Sequence, residues 1–189
     1  MKELLKRYIE FSNEEYETFI SMAKLHSFNR NEFLLQAGHS VNKLFFIKKG
    51  IARGYRLLNG VDVTHHFYLE NWFATDFESY LTGAEGELYL EALSSMECYE
   101  FNKDDLLSWF ERYPKFEKLR YVQAEDAYLQ MVNRYKDFQS KDLKERYIQL
   151  IIKNPQLFNL VPQKYIASYL GARPQSLSRI KESIKSLNS

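Results

Sequence analysis

The sequence predicts an α+β fold in which a β sandwich or jelly-roll barrel is followed by a long helix and then by two short helices. Three observations lead to this prediction. Short strand-like runs separated by turn signals fill residues 27–101, a helical period resumes at Lys103, and two amphipathic segments can close around Gly171 near the end of the chain. Several short strands at this spacing are typical of a sandwich or a jelly-roll barrel.

The first hundred residues divide into a helical lead-in and a series of strands. Residues 2–25 have helical periodicity with a break near Ser12, and Ser12 followed by Glu15 predicts a capping box. Six strand-like runs follow, with the sequences FLLQ, KLFFIKK, IARGYRLL, VDVTHHFYL, LYLEAL and ECYEF. Asn59-Gly60 lies between the third and the fourth run and predicts a tight hairpin, because both turn positions need a positive φ.

The long helix is predicted over residues 114–139, after a short helix over Asp104–Arg112. On one of its faces apolar residues recur in alternating steps of three and four, which is the pattern of a heptad seam. The seam consists of Tyr121, Ala124, Tyr128, Met131, Tyr135 and Phe138. A second apolar stripe consists of Leu119, Val122, Leu129 and Val132. We expect one face to pack on the barrel of the same chain and the seam to form a dimer interface, with burial inside a monomer as the alternative.

The last segment, Val161–Ser186, follows a helix predicted over Leu143–Lys153 and has the spacing of a helix-turn-helix. The buried faces of its two helices are predicted to consist of Ile166, Ala167 and Leu170 in the first and of Leu177 and Ile180 in the second. Gly171 supplies the permissive backbone of a tight turn, and Pro174 suits the first turn of a helix. In this motif the second helix enters the major groove of DNA.

The outward side chains of this motif are of the types that contact DNA. Arginine can make a bidentate bond with guanine and glutamine with adenine, while serine can bond to bases or phosphates. The candidate DNA-binding residues are Lys164, Arg173, Gln175, Ser176, Ser178, Arg179, Lys181 and Lys185. An ordinary helical hairpin with a polar face is the alternative.

The distribution of charge favours DNA, although the formal net charge of the chain is only +1. From Lys141 to the end, the chain carries nine of its 26 Lys and Arg residues but three of its 25 Asp and Glu residues. The release of counterions from phosphates requires such a local basic patch rather than a basic whole chain.

The sequence also predicts the compartment and excludes several kinds of chemistry. Cys98 is the only cysteine, so one chain cannot form an internal disulfide, and the charged N-terminus lacks the apolar run of a signal peptide or a membrane span. We therefore expect a cytoplasmic protein without a membrane partner. No catalytic motif stands out, so we expect no enzyme, no catalytic residues and no cofactor. His65 and His66 are adjacent in a predicted strand and face opposite sides, so no metal site is expected there.

A barrel, a seam-bearing helix and a helix-turn-helix, in this order, resemble the cyclic-AMP receptor protein and fumarate–nitrate regulator (Crp/Fnr) family of bacterial transcription factors. The resemblance spans nearly the whole chain. It rests on three segments of the sequence, LFFIKKGIARGYRLLNGVDVT, EALSSMECYEF and IASYLGARPQSLSRI. It implies a cyclic-nucleotide-binding-like sensor barrel over residues 1–113, a dimerisation helix over 114–139 and a helix-turn-helix domain over 140–189. The β-hairpin wing that is common in this family is not evident in the sequence, which is a departure from the family. The resemblance also implies a homodimer bound to a pseudo-palindromic operator, with the two recognition helices about 34 Å apart.

The barrel departs from the nucleotide-binding members of this family. Those members carry a Gly-Glu-Leu segment for the ribose and an Arg-Ser pair for the cyclic phosphate, whereas the corresponding stretches here are residues 74–77 and 86–88. No arginine stands where the phosphate would lie, and Glu87 would repel it. We therefore expect an unknown effector rather than cyclic AMP. The tentative effector-binding residues are Trp72, Phe73, Thr75, Asp76, Gly86, Glu87 and Leu88.

Two other classes of function stay open. The C-terminal helices of a barrel sensor module can dock a protein partner instead of DNA. A cupin-like metalloenzyme would use the same barrel shape, but it would need two histidines two residues apart and a nearby glutamate, and this spacing is missing.

Overall fold

The computed structural model describes the backbone of residues 1–187 and the side chains of residues 1–184. Two helices, α1 (Lys2–Leu5) and α2 (Asn13–Ser21), precede the strands. The predicted capping box is confirmed, since the Ser12 Oγ accepts a hydrogen bond from the Glu15 N–H at 3.1 Å and a Glu15 carboxylate oxygen accepts one from the Ser12 N–H at 2.7 Å. The helical prediction to residue 25 was too long, because a strand that pairs with the distant β-structure begins at Lys24.

Eight strands form two four-stranded sheets. They are β1 (Lys24–Phe28), β2 (Phe33–Leu35), β3 (Lys43–Lys49), β4 (Ala52–Leu58), β5 (Val61–Tyr68), β6 (Phe73–Ala74), β7 (Tyr89–Ala92) and β8 (Met96–Asn102). The strand orders are β1-β8-β3-β6 and β2-β7-β4-β5. The short helix α3 (Phe77–Thr82) lies between β6 and β7. This arrangement confirms the predicted α+β fold with an antiparallel barrel, to which the structure adds β1, β6 and α3.

The registers of the first sheet place β8 at its centre. Phe46 of β3 lies opposite Tyr99 of β8 on one side and opposite Phe73 of β6 on the other, and Leu25 of β1 also lies opposite Tyr99. The hairpin predicted at Asn59-Gly60 joins β4 to β5, and both turn residues have positive φ values, 52° and 78°. The turn chemistry read from the sequence is therefore confirmed.

The barrel core consists of ten buried residues contributed by both sheets. They are Leu34, Phe45, Ile47, Ala52, Tyr68, Ala74, Leu90, Ala92, Met96 and Cys98. A buried ion pair accompanies them, with the Arg53 Nη2 2.8 Å from the Glu91 Oε2. Because transfer of apolar surface from water is the dominant favourable term in folding, this two-sheet core is the main source of barrel stability.

A second core joins helices to the strands β3 and β8. It contains α1, α2, α4 (Lys103–Arg112) and a 3₁₀ turn (Pro114–Phe116). Its aromatic rings are in contact, with the centroid of Phe19 5.7 Å from that of Trp109 and 5.6 Å from that of Phe116. This cluster accounts for part of the high aromatic content of the chain.

Five helices complete the part of the chain that the structure describes: α5 (Glu117–Ser140), α6 (Leu143–Lys153), α7 (Leu157–Leu160), α8 (Gln163–Tyr169) and α9 (Pro174–Leu187). The bounds of α6 are those that the sequence predicted, and Asp142 caps it by accepting the Glu145 N–H at 2.8 Å. The one-turn helix α7 was not predicted.

The contacts divide the chain into two compact units. The first contains residues 1–54 and 67–128, and the second contains residues 55–66 and 129–189, so that α5 belongs to both and the turn end of the β4–β5 hairpin belongs to the second. The domain boundaries at residues 113 and 139 stay a prediction. Among the helices that the structure describes, none has both the length and the apolar character needed to cross a membrane.

Candidate nucleic-acid interface

The helices α8 and α9 form the helix-turn-helix that the sequence predicts. Ile166, Ala167 and Leu177 are almost completely buried, at 2%, 0% and 1% exposure. The C-terminal end of α8 closes with two backbone hydrogen bonds, from the Gly171 N–H to the Ser168 carbonyl at 3.0 Å and from the Ala172 N–H to the Ala167 carbonyl at 2.9 Å. Such bonds satisfy carbonyl groups that a helix end leaves without partners.

Gly171 is required at the turn for two reasons. Its φ of +68° lies in the left-handed region that favours glycine. A Cβ at this position would also lie 2.8 Å from the Cε1 of the Phe138 ring. The glycine therefore allows α5 and the turn to approach each other closely.

The polar face of α9 points into solvent. Among the candidate DNA-binding residues, Lys164, Arg173, Gln175, Ser176, Ser178, Arg179 and Lys181 are exposed. The side chain of Lys185 lies outside the described residues. Gln175 and Arg179 are four residues apart and therefore neighbours on the helix surface. The opposite side of α9 carries Leu177 and the half-buried Ile180.

The heptad seam of α5 is also exposed. The exposed fractions of Tyr121, Tyr128, Met131, Tyr135 and Phe138 are 56%, 61%, 64%, 63% and 40%. Ala124 is exposed as well. Of the second stripe, Leu119 is buried and Val122 and Val132 are half-buried, but Leu129 is exposed at 54%, so this stripe is only partly covered. Exposed apolar side chains that recur along one helix face are a candidate interaction site, because large exposed apolar patches mark such sites.

Two arginines that the sequence analysis did not single out hold the second unit together. Arg146 donates hydrogen bonds to the carbonyls of Lys141 and Leu170 at 2.7 and 3.3 Å. Arg134 donates to the Tyr169 carbonyl at 3.0 Å and also to the carbonyl of His65. No local sequence signal reveals these roles, because the carbonyls of His65, Tyr169 and Leu170 are far from the arginines in the chain.

Within the tentative effector segment, the Asp76 carboxylate is already engaged in hydrogen bonds with backbone groups. Asp76 is 3% exposed and accepts hydrogen bonds from the N–H groups of Ser79 and Leu88, at 3.3 and 3.0 Å. A Cβ on Gly86 would lie 2.9 Å from the Asp76 Oδ2, so the carboxylate fills the space beside that glycine. Asp76 therefore caps α3 and ties it to residue 88.

The remaining tentative effector residues have mixed surroundings. Thr75 is 1% exposed and donates to the Lys43 carbonyl at 2.7 Å, and the ring of Phe73 lies 5.1 Å from that of Phe46. Trp72 is half-buried and Glu87 is exposed. In the first unit, a cleft of about 720 Å³ follows β1 and β2 and is lined by residues that include Phe28, Phe33 and His39. This cleft has the size of a small-molecule site.

Two buried titratable groups, His66 and Cys98, have pKa values far from their ordinary ones. Within the described residues, no group of three or more His, Cys, Asp or Glu side chains is placed to hold a metal ion. Burial, with smaller contributions from His65 and Arg134, lowers the pKa of His66 to about 3. Burial raises the pKa of the Cys98 thiol to about 12, with a further contribution from Glu100, so this thiol stays protonated.

No protein-family model and no curated protein matches the sequence. Solved structures do match it over most of its length, and they define the class: a barrel, a long helix and a helix-turn-helix in this order form the fold of the Crp/Fnr regulators. One of them is CLP of Xanthomonas campestris, a c-di-GMP-responsive global regulator, with a TM-score of 0.71, 12% identity and coverage of 94% of this chain and 93% of that chain.

Two further structures show the same likeness. FixK2 of Bradyrhizobium japonicum has a TM-score of 0.73 and 15% identity, and the match covers 88% of this chain and 86% of that chain. A mutant of CooA from Carboxydothermus hydrogenoformans has a TM-score of 0.72 and 12% identity, with 90% and 79% covered. Identities at this level establish a shared fold, and the resemblance that the sequence analysis named is thereby confirmed at the level of the fold.

Proposed function

We propose that this protein is a sequence-specific DNA-binding transcriptional regulator that acts in the cytoplasm as a homodimer. The observation that carries the proposal is the exposed polar and basic face of α9, the helix that follows α8 after a tight turn. The excess of Lys and Arg from Lys141 onward gives this part of the chain a positive field, which attracts phosphates. The likeness in fold to a global regulator such as CLP supports the same function.

Each candidate residue of the interface has a proposed role. Arg179 and Gln175 read base edges, because their side chains can make the bidentate bonds that distinguish guanine and adenine. Arg173, Ser176 and Ser178 contact bases or the adjacent backbone. The remaining candidates contact mainly phosphates: Lys164, Lys181 and Lys185.

Arg179→Ala tests the assignment of the reading face. We expect a loss of about 1–3 kcal/mol in operator binding and a relaxed preference at one base pair, because one bidentate contact disappears. Lys153→Ala is the matched control, since it removes one exposed charge from the end of α6, outside the proposed interface. An Arg179→Ala variant with unchanged affinity and unchanged sequence preference would contradict the assignment.

The seam supports the homodimer. Two copies that pack their α5 seams together bury the exposed rings and present two α9 helices to one duplex. A two-fold dimer then reads an inverted repeat whose half-sites are about one helical turn apart.

The barrel is proposed to sense an effector other than cyclic AMP. The exposed Glu87 supports this view, because its carboxylate stands in the segment where the family would bind a cyclic phosphate. In the ribose segment, the Asp76 carboxylate already accepts hydrogen bonds from the N–H groups of residues 79 and 88. The tentative effector residues stay candidates, and a ligand that used the Asp76 carboxylate would have to replace its bonds to residues 79 and 88.

A protein-docking module is the second candidate function, and one observation favours it. Ile148, Ile152 and Leu160 are exposed at 37%, 74% and 51% in the same unit as the helix-turn-helix. The response to salt distinguishes the two functions, since DNA binding weakens steeply as salt is added while apolar docking does not. A flat response in a binding titration would favour the protein partner.

A further inference from the structure

The ring of Phe138 belongs to the seam and contacts the turn of the helix-turn-helix. It is the last seam residue of α5 and remains 40% exposed. One edge faces Gly171 so closely that a Cβ there would lie 2.8 Å from the Cε1. Two guanidinium groups lie near its face, with the Arg134 Cζ 5.6 Å and the Arg146 Cζ 4.6 Å from the ring centroid. The ring is therefore held by three neighbours and open to solvent on the rest of its surface.

Both arginines are fixed by the C-terminal end of α8. Arg146 donates to the carbonyl of Leu170 and also to that of Lys141, directly after the end of α5. Arg134 donates to the Tyr169 carbonyl, and its guanidinium carbon lies 4.2 Å from the centroid of the Tyr169 ring. Carbonyls at a helix C-terminus lack intrahelical partners, and a cation is favourable near them. Hydrogen bonds and electrostatic attraction therefore both stabilise the two guanidinium groups at this helix end.

We propose that Arg134, Phe138 and Arg146 are positioning residues that set the direction in which the helix-turn-helix leaves α5. This inference rests on the proposed DNA-binding function and deepens it. The turn at Gly171 packs against a ring that the two arginines hold, and the arginines in turn bond to the last carbonyls of α8. A displacement of α8 would therefore break hydrogen bonds and ring contacts together.

The exposed part of Phe138 connects this cluster to the partner chain. A second copy seated on the seam covers the ring and restricts its motion, so dimer formation favours the same position of the turn that the arginines hold. Because coupling between two binding events is reciprocal, DNA that prefers this position also strengthens the dimer. The partner recognised by this surface is a second copy of the same chain.

Spin labels on α5 and α9 test the positioning directly and without DNA. We would place nitroxides at Gln130→Cys and Glu182→Cys, both exposed, and dilute the labelled chain in unlabelled protein so that distances within one chain dominate. Cys98 is 0% exposed and escapes labelling. The parent is expected to show one narrow distance distribution, and Phe138→Ala and Arg146→Met are expected to broaden it.

Lys136→Met is the matched control for Arg146→Met, because it removes an exposed charge from α5 outside both the seam and the cluster of Arg134, Phe138 and Arg146. Its distribution should stay as narrow as that of the parent. Circular dichroism verifies that each variant is folded, and Phe138→Leu replaces Phe138→Ala if the alanine variant is not. Distributions of parental width in both the Phe138 and the Arg146 variants would overturn the proposal.

A double-mutant cycle on DNA affinity gives a second, independent readout. Gly171→Ala should lower the affinity for a selected duplex by at least about tenfold, but by no more than about threefold in a Phe138→Leu background, where the ring edge that meets the new Cβ is gone. The strain of the positive φ is common to both backgrounds and cancels in the cycle. Equal losses in the two backgrounds would refute the coupling. A parent that binds no duplex would contradict the proposed function instead, and the spin-label distances would still decide the positioning.

Discussion

Arg53 and Glu91 place an ion pair inside the two-sheet sandwich, where their side chains are 2% and 10% exposed. Removal of one partner leaves the other charge buried without compensation, so we expect Arg53→Met to lower the free energy of unfolding by about 3–5 kcal/mol. The double variant Arg53→Met/Glu91→Leu should recover much of this loss. Urea denaturation measures all three proteins.

The exposed pair of Lys48 and Glu97, 2.9 Å apart, provides the control for this prediction. Lys48→Met should change the free energy of unfolding by less than about 1 kcal/mol, because solvent and salt screen exposed charges. If Arg53→Met is as mild as Lys48→Met, the loss of Arg53 does not leave Glu91 as an uncompensated buried charge.

His66 makes stability depend on pH. Its pKa in the folded protein, about 3, is lower than the ordinary value of 6.5. As the pH falls below 6.5, the unfolded chain binds the proton first, so stability is complete above this pH and is lost as the pH falls towards 3. Between pH 7 and pH 5 we expect a loss of about 2 kcal/mol from this residue alone.

Denaturation of His66→Gln at several pH values checks this prediction, with His39→Gln, a change at an exposed histidine, as the control. The His66 variant should lose less stability than the parent between pH 7 and pH 5, and the His39 variant should follow the parent. Identical pH profiles for all three proteins would contradict the prediction, because they would show that the pKa of His66 is the same in the folded and in the unfolded protein.

At the scale of secondary-structure elements, the exposed seam of α5 predicts that this helix forms the dimer interface. Replacement of Met131 and Tyr135 by glutamate places charges in the proposed interface, and we expect a monomer because like charges would face each other across the two-fold axis. Sedimentation measures the state. The control is Gln130→Glu, which adds a charge at an exposed position outside the seam. A dimer that persists in the Met131/Tyr135 variant would remove α5 from the interface.

Elements with local signals could be predicted from the sequence. The turn at Gly171, the start of α9 at Pro174 and the bounds of α6 were found because glycine, proline and the hydrophobic period act within a few residues. In contrast, β1 exists because it pairs with β8, about 75 residues later in the chain, and its own sequence KLHSF contains no strand alternation that stands out. The two-residue strand β6 is too short to carry a period.

The candidate site could be predicted in part for the same reason. The polar face of α9 follows from its helical spacing, and the exposed seam follows from its heptads. The contacts that fix their geometry could not be found, since Arg134 and Arg146 bond to backbone carbonyls that only the folded chain brings near. Likewise, the hydrogen bond from the Leu88 N–H to the Asp76 carboxylate depends on a loop closure that no local pattern encodes.

At the scale of the whole molecule, charge and symmetry determine how DNA is bound. A net charge of +1 gives little long-range attraction, so the affinity has to come from the basic segment after Lys141. When one basic segment of a dimer binds DNA, the second segment is held near the same duplex at a high effective concentration, so it binds more readily than a free monomer would. The account therefore predicts weak binding of a single half-site and strong binding of a paired site.

Selection of bound duplexes from a random pool tests the central claim most directly. The account predicts enrichment of inverted repeats whose half-sites lie about one helical turn, roughly 10 base pairs, apart, with two chains bound per duplex. It also predicts that the Met131/Tyr135 variant fails to enrich them. Enrichment of no sequence, or of a single asymmetric site bound by one chain, would contradict it.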